Sequence, residues 1–351
     1  MSPIHDRPVS NARKLADSSY GSDVSGLIYG FRFSSDRPGQ SLDTSGTLQW
    51  LQSIDETPGE TDFVWLHFSR SNLNSEKWLR ANLSLPEHFY ETLHQALTST
   101  HIEHADDSLI AVINDFLYDF GDDASRVATL FMCVQHKLVV SIRLHPLRSV
   151  DRLRTSVANG ELFASPVSLL AHLLRDQADV LMQIIRDASA REDEIEDHLL
   201  EGRMQTKRSA LGALRRVFVR LGRLLAPEPG AIFRLLNRPP AWFTESDLQE
   251  LRNSTEEFAA ILNDLAALQE RTKLLQEEMG AHVIEQTNRS LFVLTVVTVI
   301  ALPINLIAGL LGMNVGGIPL AEDPNGFWRV FAIIASFTGI ACWFAFFKQR
   351  D

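Results

Sequence analysis

Two apolar runs near the C-terminal end stand out from a chain that otherwise mixes polar and apolar positions. Residues 291–311 contain no Asp, Glu, Lys, Arg or His, and a second run spans 328–347. A helix crosses the hydrocarbon core of a bilayer with about 20 apolar residues. Two such runs in close succession predict a membrane hairpin behind a large soluble part. A buried helix of a soluble protein would account for one run more easily than for both.

Upstream, runs rich in β-branched and aromatic residues, bounded by Gly, Ser and Pro, predict strands at 24–34, 62–69, 108–118, 128–134 and 138–144. A turn at Gln135-His136-Lys137 joins the last two. Apolar residues at three- and four-residue spacing, such as Phe89, Leu93 and Leu97, predict helices between strands. The expectation is an α+β cytoplasmic domain over 23–164, a mixed sheet with helices against it, behind a disordered tail at 1–22. From Ser165-Pro166, an N-cap and first-turn pair, the pattern turns helical and gives a cytoplasmic helical segment over 165–245. An acidic run at 191–197 reads as a solvated face or a cation site. The recurring Arg215, Arg216, Arg220 and Arg223 read as its pairing partner or as a contact for lipid head groups.

Between Asp247 and Pro303 there is no proline, and Gly280 is the sole interior glycine. One helix is therefore expected over 246–311, about 100 Å long at 1.5 Å per residue. It divides into a stalk at 246–290 and a pore-lining transmembrane helix at 291–313. A periplasmic loop at 314–327, a second transmembrane helix at 328–347 and a cytoplasmic tail at 348–351 complete the chain. Spacings of three and four connect Leu291, Leu294, Thr298, Leu302, Asn305, Gly309 and Gly312. The same register runs back through Gly280, Glu277, Lys273, Glu270 and Asn263. This stripe reads as a pore face, with Leu291, Leu294 and Leu302 as its hydrophobic constriction and Glu270 and Glu277 at its inner mouth. The two glutamates as ordinary solvated stalk residues are the alternative. Pro303 frees a carbonyl one turn earlier, which lipid tolerates only where protein or water satisfies it.

Charge narrows the partners. With 33 basic and 44 acidic residues the net charge is −11, which argues against nucleic acid and favours cations. The two cysteines, Cys133 and Cys342, supply neither a disulfide framework nor a cysteine zinc site within one chain. His101, Glu103 and His104, with Asp106 and Asp107, cluster in what reads as a soluble loop and form either a candidate regulatory metal site or a polar surface. No secretory signal is expected. The segment 314–327 lacks Lys and Arg while Lys348 and Arg350 follow the second run, a bias that places both termini in the cytoplasm.

Gly312-Met313-Asn314, preceded by Leu302-Pro303-Ile304-Asn305 and Gly309 and followed by a closing second span, resembles the CorA metal-ion transporter superfamily. Gly316-Gly317-Ile318-Pro319 directly after it is similar to the ZntB-type zinc transporter branch, where the magnesium transporters typically carry Met-Pro-Glu. The resemblance covers the whole chain in layout and its C-terminal part closely. It implies a homopentameric funnel in the bacterial inner membrane, with long helices lining one pore. Gly312, Met313 and Asn314 would form the entrance, Asn314 receiving a hydrated divalent cation, while Glu322 and Asp323 concentrate cations outside. No resident cofactor is expected; the ion is cargo. The branch implies zinc uptake, passive or linked to protons, with efflux as an older reading of it and a magnesium, cobalt or nickel channel as the alternative. A membrane-anchored cytoplasmic metal sensor is the alternative of another class. No cysteine or histidine lies on the stripe, so only 316–319 argues for zinc over other divalent ions. Neither span holds a carboxylate, histidine or lysine to relay protons. No phosphate loop, nucleophile motif or paired catalytic residues supports an enzyme.

Overall fold

The computed structural model describes residues 21–34, 36–53, 62–95, 100–105, 107–118, 126–200, 208–313 and 323–347. Two compact units, Met1–Leu274 and Leu275–Asp351, divide within a single helix.

The first unit is built on a sheet whose strands at Phe63–Ser69, Ser108–Phe116 and Leu138–Arg143 are apolar on both faces. β1 (Leu27–Ser34), β2 (Arg37–Leu42), β3 (Phe63–Ser69), β4 (His101–Ala105), β5 (Ser108–Phe116), β6 (Val127–Val134) and β7 (Leu138–Arg143) form one sheet in the order β2-β1-β3-β7-β6-β5-β4. β3 and β7 run parallel, with Val64 opposite Leu138 and Phe68 opposite Ile142; the other neighbours are antiparallel. β5 and β7 are buried along their whole lengths because helices cover both sides. On one side α1 (Thr44–Ser53), α2 (Asn74–Asn82) and α3 (Glu87–His94) bring Trp50, Leu79 and Phe89 over Val64, Leu66 and Val140. On the other, α4 (Arg148–Ala158), α5 (Pro166–Leu200) and α7 (Pro227–Asn237) bring Leu153, Leu170 and Ile232 over Trp65, Ala111 and Met132. A further cluster joins Leu181 of α5, Phe218 of α6 (Arg208–Leu225) and Phe258 and Leu265 of α8 (Glu245–Leu311).

The five expected strands are present, and the 135–137 turn is closed by Gln135 N to Leu138 O at 2.7 Å. β2, β4, α1 and α4 were not anticipated. Both extra strands are edges of the sheet, where one hydrogen-bonded neighbour suffices and polar residues and proline are tolerated. β2 carries Pro38 and Gly39; a Cβ at Gly39 would sit 2.7 Å from Val157 Cγ1 of α4. The segment 101–105, expected as loop, is strand β4 paired with β5.

Ser165 caps α5: its Oγ accepts from Ser168 N at 3.0 Å. Thr244 and Asp247 cap α8 reciprocally, Asp247 N reaching Thr244 Oγ1 at 3.2 Å and Thr244 N reaching Asp247 Oδ2 at 2.9 Å. α8 then continues for 67 residues through Gly280 and Pro303. α9 (Gly326–Phe347) starts two residues before the expected 328. The expected disordered tail through residue 20, Asp106, the loop residues 314–322 and the tail 348–351 lie outside the described residues.

The acidic run at 191–197 is split: Asp193, Glu194 and Asp197 are exposed, as a solvated face would be, while Glu192 packs against α8. Glu192 is fully buried and accepts from Thr272 Oγ1 at 2.8 Å, while Arg271 pairs with Asp193 at 2.7 Å and with Glu196.

Candidate functional site

Helical periodicity fixes which residues of α8 share a side. Leu291, Leu294, Thr298, Leu302, Asn305, Gly309 and Gly312 are all exposed, with Leu302 at 68%. Val296, Ile300, Pro303, Ile304, Ile307 and Leu311 are half-buried. At 3.6 residues per turn the two rows lie about half a turn apart. α9 carries its own half-buried row at Val330, Ile334 and Thr338. The stripe singled out from sequence thus runs along the middle of the wide side of α8 that this chain leaves bare, a side that also carries Phe292, Val297, Val299, Leu306 and Leu310.

Two threonine hydroxyls on the apolar segment are satisfied locally. Thr298 Oγ1 donates to Leu294 O and Thr295 Oγ1 to Leu291 O, both at 2.8 Å, which hides hydroxyl protons where water is scarce. Gly309 has no heavy atom within 4 Å of where a Cβ would stand. An interior helical glycine costs about 1 kcal/mol relative to alanine, and the single chain gives no packing reason for it. Gly312 N closes the last turn on Ala308 O at 3.0 Å, and Met313 follows, 50% exposed. Asn314, Gly316 to Pro319 and Glu322 lie outside the described residues.

Toward the N-terminus of α8 the same register stays exposed at Asn263, Glu270, Lys273, Glu277, Ile284 and Thr287. Glu270 pairs with Lys273 at 3.0 Å, whereas Leu268, Thr272, Leu275 and Met279 are buried on other sides of the helix. Asp323 is engaged in structure: its Oδ1 accepts from Asn325 N at 2.9 Å, and its Oδ2 pairs with Arg329 in the first turn of α9. Arg329 escaped the sequence reading. Its signal was a single basic residue just inside an otherwise uncharged run, six positions after Asp323.

In the first unit, His101 Nε2 meets Glu103 Oε2 at 2.8 Å on one face of β4. His104 falls on the opposite face by alternation. The place it was expected to fill is taken by His88 of α3, which pairs with Glu103 and with Glu91 at 3.2 Å. Those contacts, Glu91 first, raise the His88 pKa above the usual imidazole range. Among the described residues, no three His, Cys, Asp or Glu side chains are placed to hold a metal ion.

A mixed-sheet domain leads into one long helix that turns apolar, with a second apolar helix after it; α8 is long and apolar enough to cross a membrane. This combination defines a class of proteins with a large N-terminal mixed-sheet domain and apolar C-terminal helices. The family model described as CorA-like Mg2+ transporter protein matches residues 60–349. The chain belongs to that family and is by class a divalent cation transporter. Among its relatives, a divalent cation transporter, CmaX, of Pseudomonas aeruginosa is 29% identical over 93% of this chain and 97% of its own. A zinc transport protein, ZntB, of Pectobacterium carotovorum is 23% identical over 87% of this chain and 96% of its own. The solved full-length CmaX protein superposes with a TM-score of 0.78 at 26% identity, covering 94% of this chain and 100% of that one. The CorA magnesium transporter of Methanocaldococcus jannaschii shares the fold, with a TM-score of 0.67 over 90% of this chain and 96% of that one.

Proposed function

We propose that the chain carries zinc into a bacterial cytoplasm across the inner membrane, through a pore on the axis of a homopentamer. Both termini are cytoplasmic in this reading and 314–327 faces outside. One observation carries it: the row from Leu291 to Gly312 is bare on the side of α8 opposite the half-buried row. Copies of the same helix around an axis cover such a row, and Gly309 gives them room to approach.

In that arrangement Gly312, Met313 and Asn314 form the outer entrance. The Asn314 amide oxygen exchanges with the ion's first-shell water without holding it as a carboxylate would. Thr298 offers oxygen between the constricting leucines and Asn305 just beyond Leu302, and Glu270 and Glu277 concentrate cations at the inner mouth. Glu322 does the same outside, while Asp323, already paired with Arg329, contributes less. Zinc is favoured by Gly316 to Pro319 and by relatives named as zinc transport proteins. Magnesium, cobalt and nickel are the competing cargo, since the family description names Mg2+. Any link to a proton gradient runs through water, the outer loop or the stalk.

Purified protein in liposomes, assayed for zinc against magnesium uptake with and without a pH gradient, tests this reading. Zinc uptake that falls in Asn314→Ala and in Glu270→Gln/Glu277→Gln is the expected result. Equal flux through Asn314→Ala removes the entrance ring, and no flux of either ion favours the cytoplasmic sensor.

A further inference from the structure

Far from the pore stripe, polar groups clasp the junction between α6 and α7 onto the sheet. Asn114 Nδ2 of β5 donates to Leu224 O at 3.4 Å and to Thr100 Oγ1 at 3.3 Å, and Thr100 Oγ1 itself reaches Leu224 O at 3.4 Å. Glu228, in the first turn of α7, is fully buried. Gln177 of α5 lies between these groups, its Nε2 donating to Asn114 O at 2.7 Å and to Glu228 Oε2 at 3.2 Å. Both amide hydrogens are thereby used. Asn114 O requires one of them, so the amide cannot be turned over. Glu228 Oε1 and Gln177 Oε1 are left as buried acceptors with no hydrogen-bond partner among the described residues.

An ionised Glu228 would place a negative charge beside these two orphaned oxygens. Among the described residues the charged group acting on it is Asp115 of β5, buried and of the same sign. Asp115 is occupied in capping α4, accepting from Ser149 Oγ at 2.6 Å and Ser149 N at 3.1 Å. The cations nearby serve other acids: Arg148 acts on Asp115, and Arg152 on Asp176, the α5 neighbour of Gln177. His172, also on α5, faces Glu161 and Asp176. A proton on Glu228 Oε1 removes the unpaired charge and turns one orphaned acceptor into a donor.

We propose that Glu228 is a proton-binding site that locks the α6–α7 junction onto β5 and α5 when protonated and releases it when the proton is lost. Burial, reinforced by Asp115, pushes this carboxyl up to about 8. Its folded value lies above the ordinary 4.5, so the locked state is favoured at lower pH and is lost as pH rises through about 8. α7 ends at Asn237 and α8 begins at Glu245, so the clasp holds the element that leads into the long helix. This goes beyond ion transport and stands whatever the cargo.

The test is backbone hydrogen exchange over residues 224–236 in the intact protein in lipid nanodiscs, between pH 6.5 and 9, corrected for intrinsic exchange chemistry. Wild type is expected to exchange this segment about tenfold faster per pH unit as pH rises toward its midpoint near 8, and to level off above it. Glu228→Gln should abolish the rise, and Asp115→Asn should move the midpoint to lower pH. A rise that persists in Glu228→Gln, or no rise in wild type, overturns the proposal. Should Glu228→Gln fail to fold, a midpoint unmoved by Asp115→Asn overturns it instead.

Discussion

Thr272 Oγ1 donates to Glu192 Oε1 at 2.8 Å across the contact between α8 and α5, and both side chains are fully buried. Glu192 Oε2 has no partner among the described residues, and burial raises this carboxyl's pKa. Thr272 Oγ1 also lies 2.9 Å from Leu268 O of its own helix, but for Glu192 it is the one hydrogen-bond partner among the described residues, so Thr272→Val should cost roughly 1–3 kcal/mol. The adjacent Arg271, half-exposed between Asp193 and Glu196, should matter less despite its two ion pairs, about 0–1 kcal/mol for Arg271→Ala. Thermal unfolding of the intact protein checks the order; Arg271→Ala costing more than Thr272→Val would refute it.

The approach of α6 to α8 depends on a missing methyl group. A Cβ on Gly222 would stand 2.7 Å from Gln269 Nε2, which donates at 2.7 Å to Phe218 O. Gly222→Ala should displace that amide and lose the bond, a cost of about 1 kcal/mol. In Gln269→Ala the same substitution should cost little. A double-mutant cycle measures the coupling, and additive effects would show that the glycine serves some other purpose.

What was legible in the sequence follows from how strongly burial patterns residues. β3, β5 and β7, buried on both faces, and α8, without a breaker along its soluble length, declared themselves. The edge strands β2 and β4 did not, because half of each faces water and their residues read as turn. The stripe from Leu291 to Gly312 was readable as a register. Which side of α8 is left bare was not, since Leu302 and Ile304 look alike in composition and only packing separates them. Contacts such as His88 with Glu103 and Gln177 with Glu228 join separate elements and leave no local spacing to find. Glu228 itself reads as a surface acid until its burial is seen.

His67 should make the sheet acid-sensitive. It is fully buried, stacks on Tyr29 at 4.7 Å, and its Nδ1 meets Ser141 Oγ at 2.7 Å. Burial, with the charges of Arg143 and Arg154, holds its pKa well below 6.5. A histidine depressed in the folded state binds fewer protons than the unfolded chain below pH 6.5, so its contribution is present above that pH and lost as the solution is acidified. His67→Phe keeps a ring against Tyr29 and removes the titration. Its unfolding midpoint should fall less than that of wild type between pH 6.5 and 5; identical acid limbs would assign the loss to other groups.

Gly309 separates a helix that serves only as an anchor from one that lines a pathway. In the single chain nothing lies within 4 Å of its absent Cβ, so Gly309→Ala should relieve the intrinsic penalty of an interior glycine, about 1 kcal/mol, and leave folding intact. If copies of α8 approach one another along this row, added bulk narrows the space between them, and Gly309→Leu should reduce cation flux more than Ile304→Leu on the opposite row. Cysteine labelling reads the same geometry without transport. In a Cys342→Ser background, with Cys133 buried, cysteines at Leu294, Leu302 and Asn305 should react with a small water-soluble thiol reagent faster than cysteines at Val296, Ile300 and Ile304. Equal labelling of both rows would mean that water does not follow the stripe, and unaltered flux through Gly309→Leu would place the ion path away from this face of α8.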